Sequence, residues 1–446
     1  MRILIQNATI VNEGERFIGS VLINGKRIAE VLRENEKTSR KYDQCIDATG
    51  MYLIPGVIDD HVHFREPGLT SKATIYSESR AAAAGGVTSF MDMPNTKPQT
   101  TDITSLRDKF KIAANDSAVN YSFYFGVTNN NRRLFSRLNP RKICGIKLFM
   151  GSSTGNMLVD GESVLEEVFR TANLLVAVHC EDSNIIAENT KQVMLREGND
   201  PDVSFHPIIR STEACYNSTK RAVELAKKYG TRLHIMHIST AKELELLFCY
   251  KSTGNKQITA EATPAHLLFC DKDYKELGTK IKCNPAIKSE YDRTSLRNAV
   301  KNGLVDLIGT DHAPHSVEDK VGGALSAASG IPTLQFSLIA MLQLCNEGVF
   351  DIETLVQKMC HAPADIFGID KRGYIRKGYS ADIVLLDPTR QHTIEKNDIL
   401  SLCGWSPFEG RTFDWSVRQT WVNGQCVYKD GVIDDSVRGV ALKFCR

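Results

Sequence analysis

Between residues 52 and 308 the chain repeats one unit, a short apolar run followed by a stretch with apolar residues at helical spacing. The apolar runs fall at 52–58, 87–91, 121–127, 145–149, 174–178, 232–236, 257–261 and 304–308, and helical patterns fill stretches such as 74–84, 162–172, Thr212–Tyr229 and 241–250. Strand and helix in alternation predict a parallel sheet covered by helices. About eight units predict a closed, TIM-like (β/α)8 barrel over an open doubly wound sheet. No glycine-rich phosphate loop follows the first strand, which argues the same way. The flanks read differently. Strands are expected at 3–11 and 21–31, the second broken by Asn24-Gly25, and at 381–386, with a hairpin at 420–428 around Asn423-Gly424. The expected fold is therefore α/β: a barrel over 52–368, inserted into a small β-sandwich domain built from both chain ends, 1–51 and 369–446.

In such a barrel chemistry belongs at the C-terminal strand ends. The first run leads into DDHVHFREPG, where His61 and His63 alternate and so share a face. Imidazole is the commonest metal-binding side chain, so two on one face form half of a metal site. Further polar residues stand at later strand ends: Lys147 in GIKLFM, His179 in AVHCED, His237 in HIMHIS and Asp311 in GTDHAPH. Any one of these histidines alone is more often a core or surface residue than a ligand. Four at strand ends of one expected barrel favour a site. Burial of Lys147 in an apolar run favours its neutral amine, which can add carbon dioxide to give a carbamate able to bridge two metal ions.

The charge balance narrows the partners. A formal net charge of +2 over 446 residues lacks the basic excess of a nucleic-acid or membrane-surface protein. A small soluble substrate fits better. The start, MRILIQNATIVNEG, alternates like a strand and lacks a signal-peptide pattern, and no later apolar run is long enough to span a bilayer. The 12 cysteines include no CxxC pair, as suits a reducing compartment. A cytoplasmic protein is expected, and nothing in the sequence opposes a homodimer.

DDHVHFREPG, GIKLFM, AVHCED, HIMHIS and GTDHAPH together resemble the amidohydrolase superfamily, and the Arg65 form of the first motif resembles its dihydroorotase branch. The resemblance implies two zinc ions: one held by His61, His63 and Asp311, the other by His179 and His237, with carboxylated Lys147 between them. Many bacterial members bridge with an aspartate in a DDG motif after strand four. Here GIKLFMGSS has no acid at that place, so Lys147 resembles the lysine of the animal enzymes and the hydantoinases. The implied chemistry is reversible ring closure of carbamoyl-aspartate to dihydroorotate, a step of de novo pyrimidine biosynthesis, by a zinc-bound hydroxide with Asp311 as general base and then acid.

Substrate choice then rests on the ring carboxylate. Arg65, two residues past His63 and expected on the same strand face, can clamp it in bidentate fashion. The resemblance adds Asn95 and His315 as carboxylate partners, Asn284 as a ring contact and backbone groups around 327–330. The segment 151–160 is rich in small residues and suits a loop over the site, with Thr154 reaching the substrate. Asp160 is the substitute bridge if Lys147 fails. The competing expectations are a dihydropyrimidinase, hydantoinase or allantoinase, against which Arg65 argues, and a scaffold without catalysis, against which the full ligand set argues.

Overall fold

The structure, a computed structural model, describes residues 1–151, 157–159, 161–250 and 256–446. Its central part holds eight parallel strands: β1 (Val57–Val62), β2 (Val87–Asp92), β3 (Asn120–Phe123, resuming as Phe125–Gly126), β4 (Ile146–Met150), β5 (Val176–Cys180), β6 (Leu233–Ile235), β7 (Ile258–Ala262) and β8 (Leu307–Ile308). Each pairs in parallel with the next. Just beyond β8, His312 makes a parallel bridge back to Val62 at the end of β1. All residues of these strands are buried, because helices cover the sheet and neither face meets water.

The helices start where the local chemistry allows. Ile75–Ala84 is capped by Thr74, whose hydroxyl accepts from the Ser77 N–H at 3.0 Å while Ser77 Oγ accepts from the Thr74 N–H at 3.1 Å. Thr212–Tyr229 starts at the Ser211 cap and stops at Gly230, which adopts φ 70°. The expected helix at 241–250 is an α-helix only over Ala241–Leu244 and tightens to a 3-10 turn over Glu245–Tyr250.

Both chain ends meet in one sheet of nine strands. The amino-terminal strands Arg2–Asn12, Glu15–Asn24 and Arg27–Arg33 pair antiparallel in succession. Ile383–Asp387, Ser416–Val422 and Gln425–Lys429 complete it from the far end. Pairing is continuous across the sheet. The two Asn-Gly turns lie against each other: a Cβ on Gly424 would sit 1.9 Å from the Gly25 carbonyl oxygen, so glycine is required there.

One expectation fails at the junction. The apolar run 52–58 is two strands: Tyr52–Pro55 lies between Arg2–Asn12 and Ile383–Asp387 in the terminal sheet, and β1 begins only at Val57. Gly56 makes the crossing. A Cβ there would fall 2.2 Å from Thr88 Oγ1. Both halves are apolar because both are buried, so the pattern carries no sign of the change of partner. Among the described residues, no helix is long and apolar enough to cross a membrane.

Candidate metal centre

At the C-terminal end of β1, His61 and His63 are each oriented by a second group. His61 Nδ1 lies 2.8 Å from Glu261 Oε1 on β7, and His63 Nδ1 lies 2.8 Å from Asn95 Oδ1. Both oxygens accept, so each ring carries its proton on Nδ1 and presents a lone pair at Nε2. Those two nitrogens stand 3.2 and 3.1 Å from Asp311 Oδ1. Burial lowers the His61 pKa and Glu261 and Asp311 more than offset it, so either a proton on Nε2 or a cation among these atoms holds the two rings against the carboxylate. Ligands at about 2.0–2.2 Å from a tetrahedral zinc are separated by about 3.3–3.6 Å, close to the spacing found.

Across the cavity His179 Nδ1 lies 3.0 Å from His237 Nε2. His179 Nε2 lies 2.9 Å from Glu181 Oε2, which also pairs with Arg210. Burial pushes the Glu181 carboxyl up, but Arg210 and His179 more than offset it and hold it at about 2. Glu181 is thus an anion that accepts a hydrogen bond from His179 Nε2–H and leaves Nδ1 free to ligate. Burial and the neighbouring His179, His61 and Lys147 keep His237 neutral, well below the usual range. Between the histidine pairs, Lys147 on β4 is 1% exposed, and its Nζ donates to the Met236 thioether at 2.7 Å, a weak acceptor. Burial lowers its pKa to about 8 against the pull of Glu261 and Asp311. A neutral amine is accordingly accessible near neutrality, as carbamate formation requires.

These groups line one cavity of about 300 Å³ together with Arg65, Asn95, Asn284, His315, Phe149, Ala313 and the loop from Ala328 to Gly330. The structure therefore brings together every sequence-identified residue except Thr154, which lies outside the described residues, as does Asp160. Three of the site residues hold left-handed backbone, with φ of 66° at Arg65, 38° at His237 and 47° at Asp311. Such strain in non-glycine residues costs about 1–3 kcal/mol each and tends to gather at functional sites.

Arg65 is not on the strand face shared by the histidines. β1 stops at Val62, and the turned backbone sends the guanidinium onto the 311–315 loop, where Nε donates to Pro314 O at 3.0 Å and one terminal nitrogen lies 3.0 Å from His315 Nε2. The other ring nitrogen of His315 is 3.0 Å from Lys72 Nζ, which also pairs with Asp319 at 3.0 Å. Burial, Arg65 and Lys72 push His315 down to about 2, so it is neutral. Asn95, expected on the substrate carboxylate, spends its oxygen on His63 and keeps its N–H groups as donors. Asn284 is oriented by His206 Nε2 at 3.1 Å. The Ala328–Gly330 loop is fixed by Lys320, whose Nζ donates to the carbonyls of Ala328 and Gly330 at 2.8 and 2.9 Å.

Sequence reasoning missed Glu261, Glu181, Lys72, His206 and Lys320. An acid closing the apolar run ITAEA was a visible signal for Glu261. Glu181 stands two residues past His179 in AVHCED, whereas Lys72, His206 and Lys320 lie in turns and short helices without any such mark.

The chain matches the amidohydrolase family over residues 52–427 and belongs to that family. It is 33% identical over 417 residues to a protein of Methanosphaera stadtmanae named dihydroorotase, covering 93% of this chain and 94% of that one. The dihydroorotase of Elusimicrobium minutum is 32% identical over 441 residues, covering 97% and 99%. Among solved structures, the L-hydantoinase (dihydropyrimidinase) of Arthrobacter aurescens superposes with a TM-score of 0.90 at 28% identity, covering 97% of each chain. The dihydropyrimidinase of Brevibacillus agri superposes with a TM-score of 0.90 at 25% identity over 100% of both.

Proposed function

We propose that the protein is a dihydroorotase that closes N-carbamoyl-L-aspartate to L-dihydroorotate and opens it again. The observation that carries this reading is Arg65, a buried guanidinium that lines the same cavity as four histidines and Asp311. Burial lowers its pKa to about 10, opposed by Asp311 and Asp92, so it stays charged at neutral pH. A ring carboxylate is the group such a cation selects.

The eight parallel strands, with the bridge from His312 to Val62, are read as a closed barrel, and the terminal strands as a separate sheet domain with its amino-terminal boundary at Gly56. His61, His63 and Asp311 would hold one divalent ion, His179 and His237 a second, and carboxylated Lys147 would bridge them. When bound, zinc there supplies Lewis acidity and lowers the pKa of coordinated water toward neutrality. Arg65 and His315 hold the ring carboxylate. They line the cavity that the histidines also line, so a ring held by its carboxylate there can turn its reacting carbonyl to the histidines. Asn95 offers its N–H groups to the same carboxylate, and Asn284, steadied by His206, contacts the ring. Asp311 takes the proton from the attacking water through the oxygen not facing His61 and His63, and returns it to the ring nitrogen as the bond breaks.

The structural likeness to hydantoinases keeps ring amides without a carboxylate as the second reading. Purified zinc-loaded protein is expected to turn over dihydroorotate at least tenfold faster than dihydrouracil or hydantoin at equal concentration. The reverse order would give the chain to the hydantoinases.

A further inference from the structure

Behind His61, on the side away from Asp311, three buried side chains converge: Asp60 of β1, His234 of β6 and Glu261 of β7. All three are 0% exposed. His234 Nε2 lies 3.3 Å from Asp60 Oδ2 and 3.7 Å from Glu261 Oε2, and neither contact has hydrogen-bond geometry. Both Asp60 oxygens, Glu261 Oε2 and His234 Nε2 are without partners. Groups like these, buried and unpaired, are costly and call for an occupant.

The hydrogen bonds around the cluster show which atoms face one another. Thr259 Oγ1 donates to the Leu233 carbonyl at 3.3 Å, so it accepts from His234 Nδ1 at 2.8 Å. The proton of the neutral ring is therefore on Nδ1, and Nε2 aims a lone pair at two carboxylates. Glu261 has committed its other oxygen to His61 Nδ1 and to the His237 N–H, at 2.8 and 3.0 Å. Gly309 lets both carboxylates approach its backbone: a Cβ there would fall 2.6 Å from Asp60 Oδ1 and 2.8 Å from Glu261 Oε2.

We propose that Asp60, His234 and Glu261 form a further, buried site for a divalent transition-metal ion such as zinc. Nitrogen and carboxylate ligands at about 2.0–2.2 Å from such an ion stand about 3.3–3.6 Å apart in a tetrahedral set, and the contacts at 3.3 and 3.7 Å match that spacing. The ion offsets both carboxylates and engages the three groups together. It also fixes Glu261, and Glu261 fixes the ring of His61, so this is a structural site that positions a ligand of the first centre. The competing occupant is a second proton on His234: burial lowers its pKa, and Asp60 and Glu261 more than offset that, raising it to about 9. A proton on Nε2 engages one carboxylate, whereas an ion engages one atom of each of the three groups. The inference is independent of which ring amide is the substrate.

The test is anomalous X-ray scattering at the zinc edge from crystals of the full chain grown in zinc. A peak about 2.0–2.3 Å from His234 Nε2 and from an oxygen of Asp60 and of Glu261 is expected. Peaks at the first centre are scored separately, so a failure of either site is distinct from a failure of the other. No peak between Asp60 and His234 overturns the proposal. In solution, His234→Gln is expected to lower zinc by one equivalent per chain, measured by mass spectrometry on a folded, monodisperse sample. Unchanged stoichiometry overturns it, as does an ¹⁵N spectrum of the zinc-loaded wild type in which both His234 nitrogens are protonated.

Discussion

Replacing Arg65 with methionine removes the charge while keeping the length of the side chain. In the structure Nε is spent on Pro314 O and one terminal nitrogen is shared with His315. One free terminal nitrogen and one shared with His315 therefore remain to grip a carboxylate. Hydrogen bonds to a charged group contribute about 1.5–3 kcal/mol, so the pair is expected to contribute about 2–4 kcal/mol once the shared arm is discounted. That corresponds to a loss of roughly 30- to 1000-fold in kcat/KM for dihydroorotate. Dihydrouracil, which has no carboxylate to lose, should change by less than about threefold. Ring opening of both substrates is followed by ultraviolet absorbance, with bound zinc measured on the same sample. Zinc content should stay within error of the wild type, because Arg65 donates to no ligand of the centre. Equal losses on both substrates, with zinc retained, would refute the assignment of Arg65 as the carboxylate clamp.

Lys147→Ala is expected to lose most bound metal and at least ~100-fold in activity, since even outer partners of metal ligands are worth 10–100-fold; propionate added with zinc should restore part of both, and retention of full metal by the variant would move the bridge to another residue. Lys72→Met, which frees His315 Nδ1, should raise KM for dihydroorotate roughly 3- to 10-fold with little change in kcat, on the scale of one net hydrogen bond; an unchanged KM with Lys72→Met would remove Lys72 from the carboxylate end. Far from the site, burial lowers the Lys358 pKa to about 8, while its unfolded value is near 10.5. The unfolded state therefore binds more protons between pH 8 and 10.5, so wild-type stability relative to Lys358→Met should rise across that window by on the order of 2–3 kcal/mol. Chemical denaturation at pH 7.5, 9 and 10.5 reads this directly, and a flat or falling difference would contradict it.

How much of this was legible in the sequence depended on whether the governing contact was local. The eight strands could be placed because burial on both faces writes a continuous apolar run, and His61, His179, His237 and Asp311 because they interrupt such runs at the end where a barrel carries its chemistry. The run 52–58 was misread for the same reason: two strands in two sheets are equally apolar, and only Pro55-Gly56 marks the crossing. The placement of Arg65 on a strand face failed because alternation holds only while the strand lasts, and β1 ends at Val62. Glu261 acts on His61 across 200 positions and Lys72 on His315 across 243. Partnerships at that separation leave no local pattern. Thr154 and its loop, 151–160, fall largely outside the described residues and carry no structural argument.

The most direct test is to strip the purified protein of metal with a chelator, add zinc back in steps with bicarbonate present, and follow both bound zinc and cyclisation of N-carbamoyl-L-aspartate. Activity is predicted to be absent without metal and to return as the centre lined by His61, His63, Lys147, His179, His237 and Asp311 fills. His237→Asn should show no return at any zinc concentration. Full cyclisation by metal-free protein, or none by protein carrying its full complement of zinc, would contradict the account.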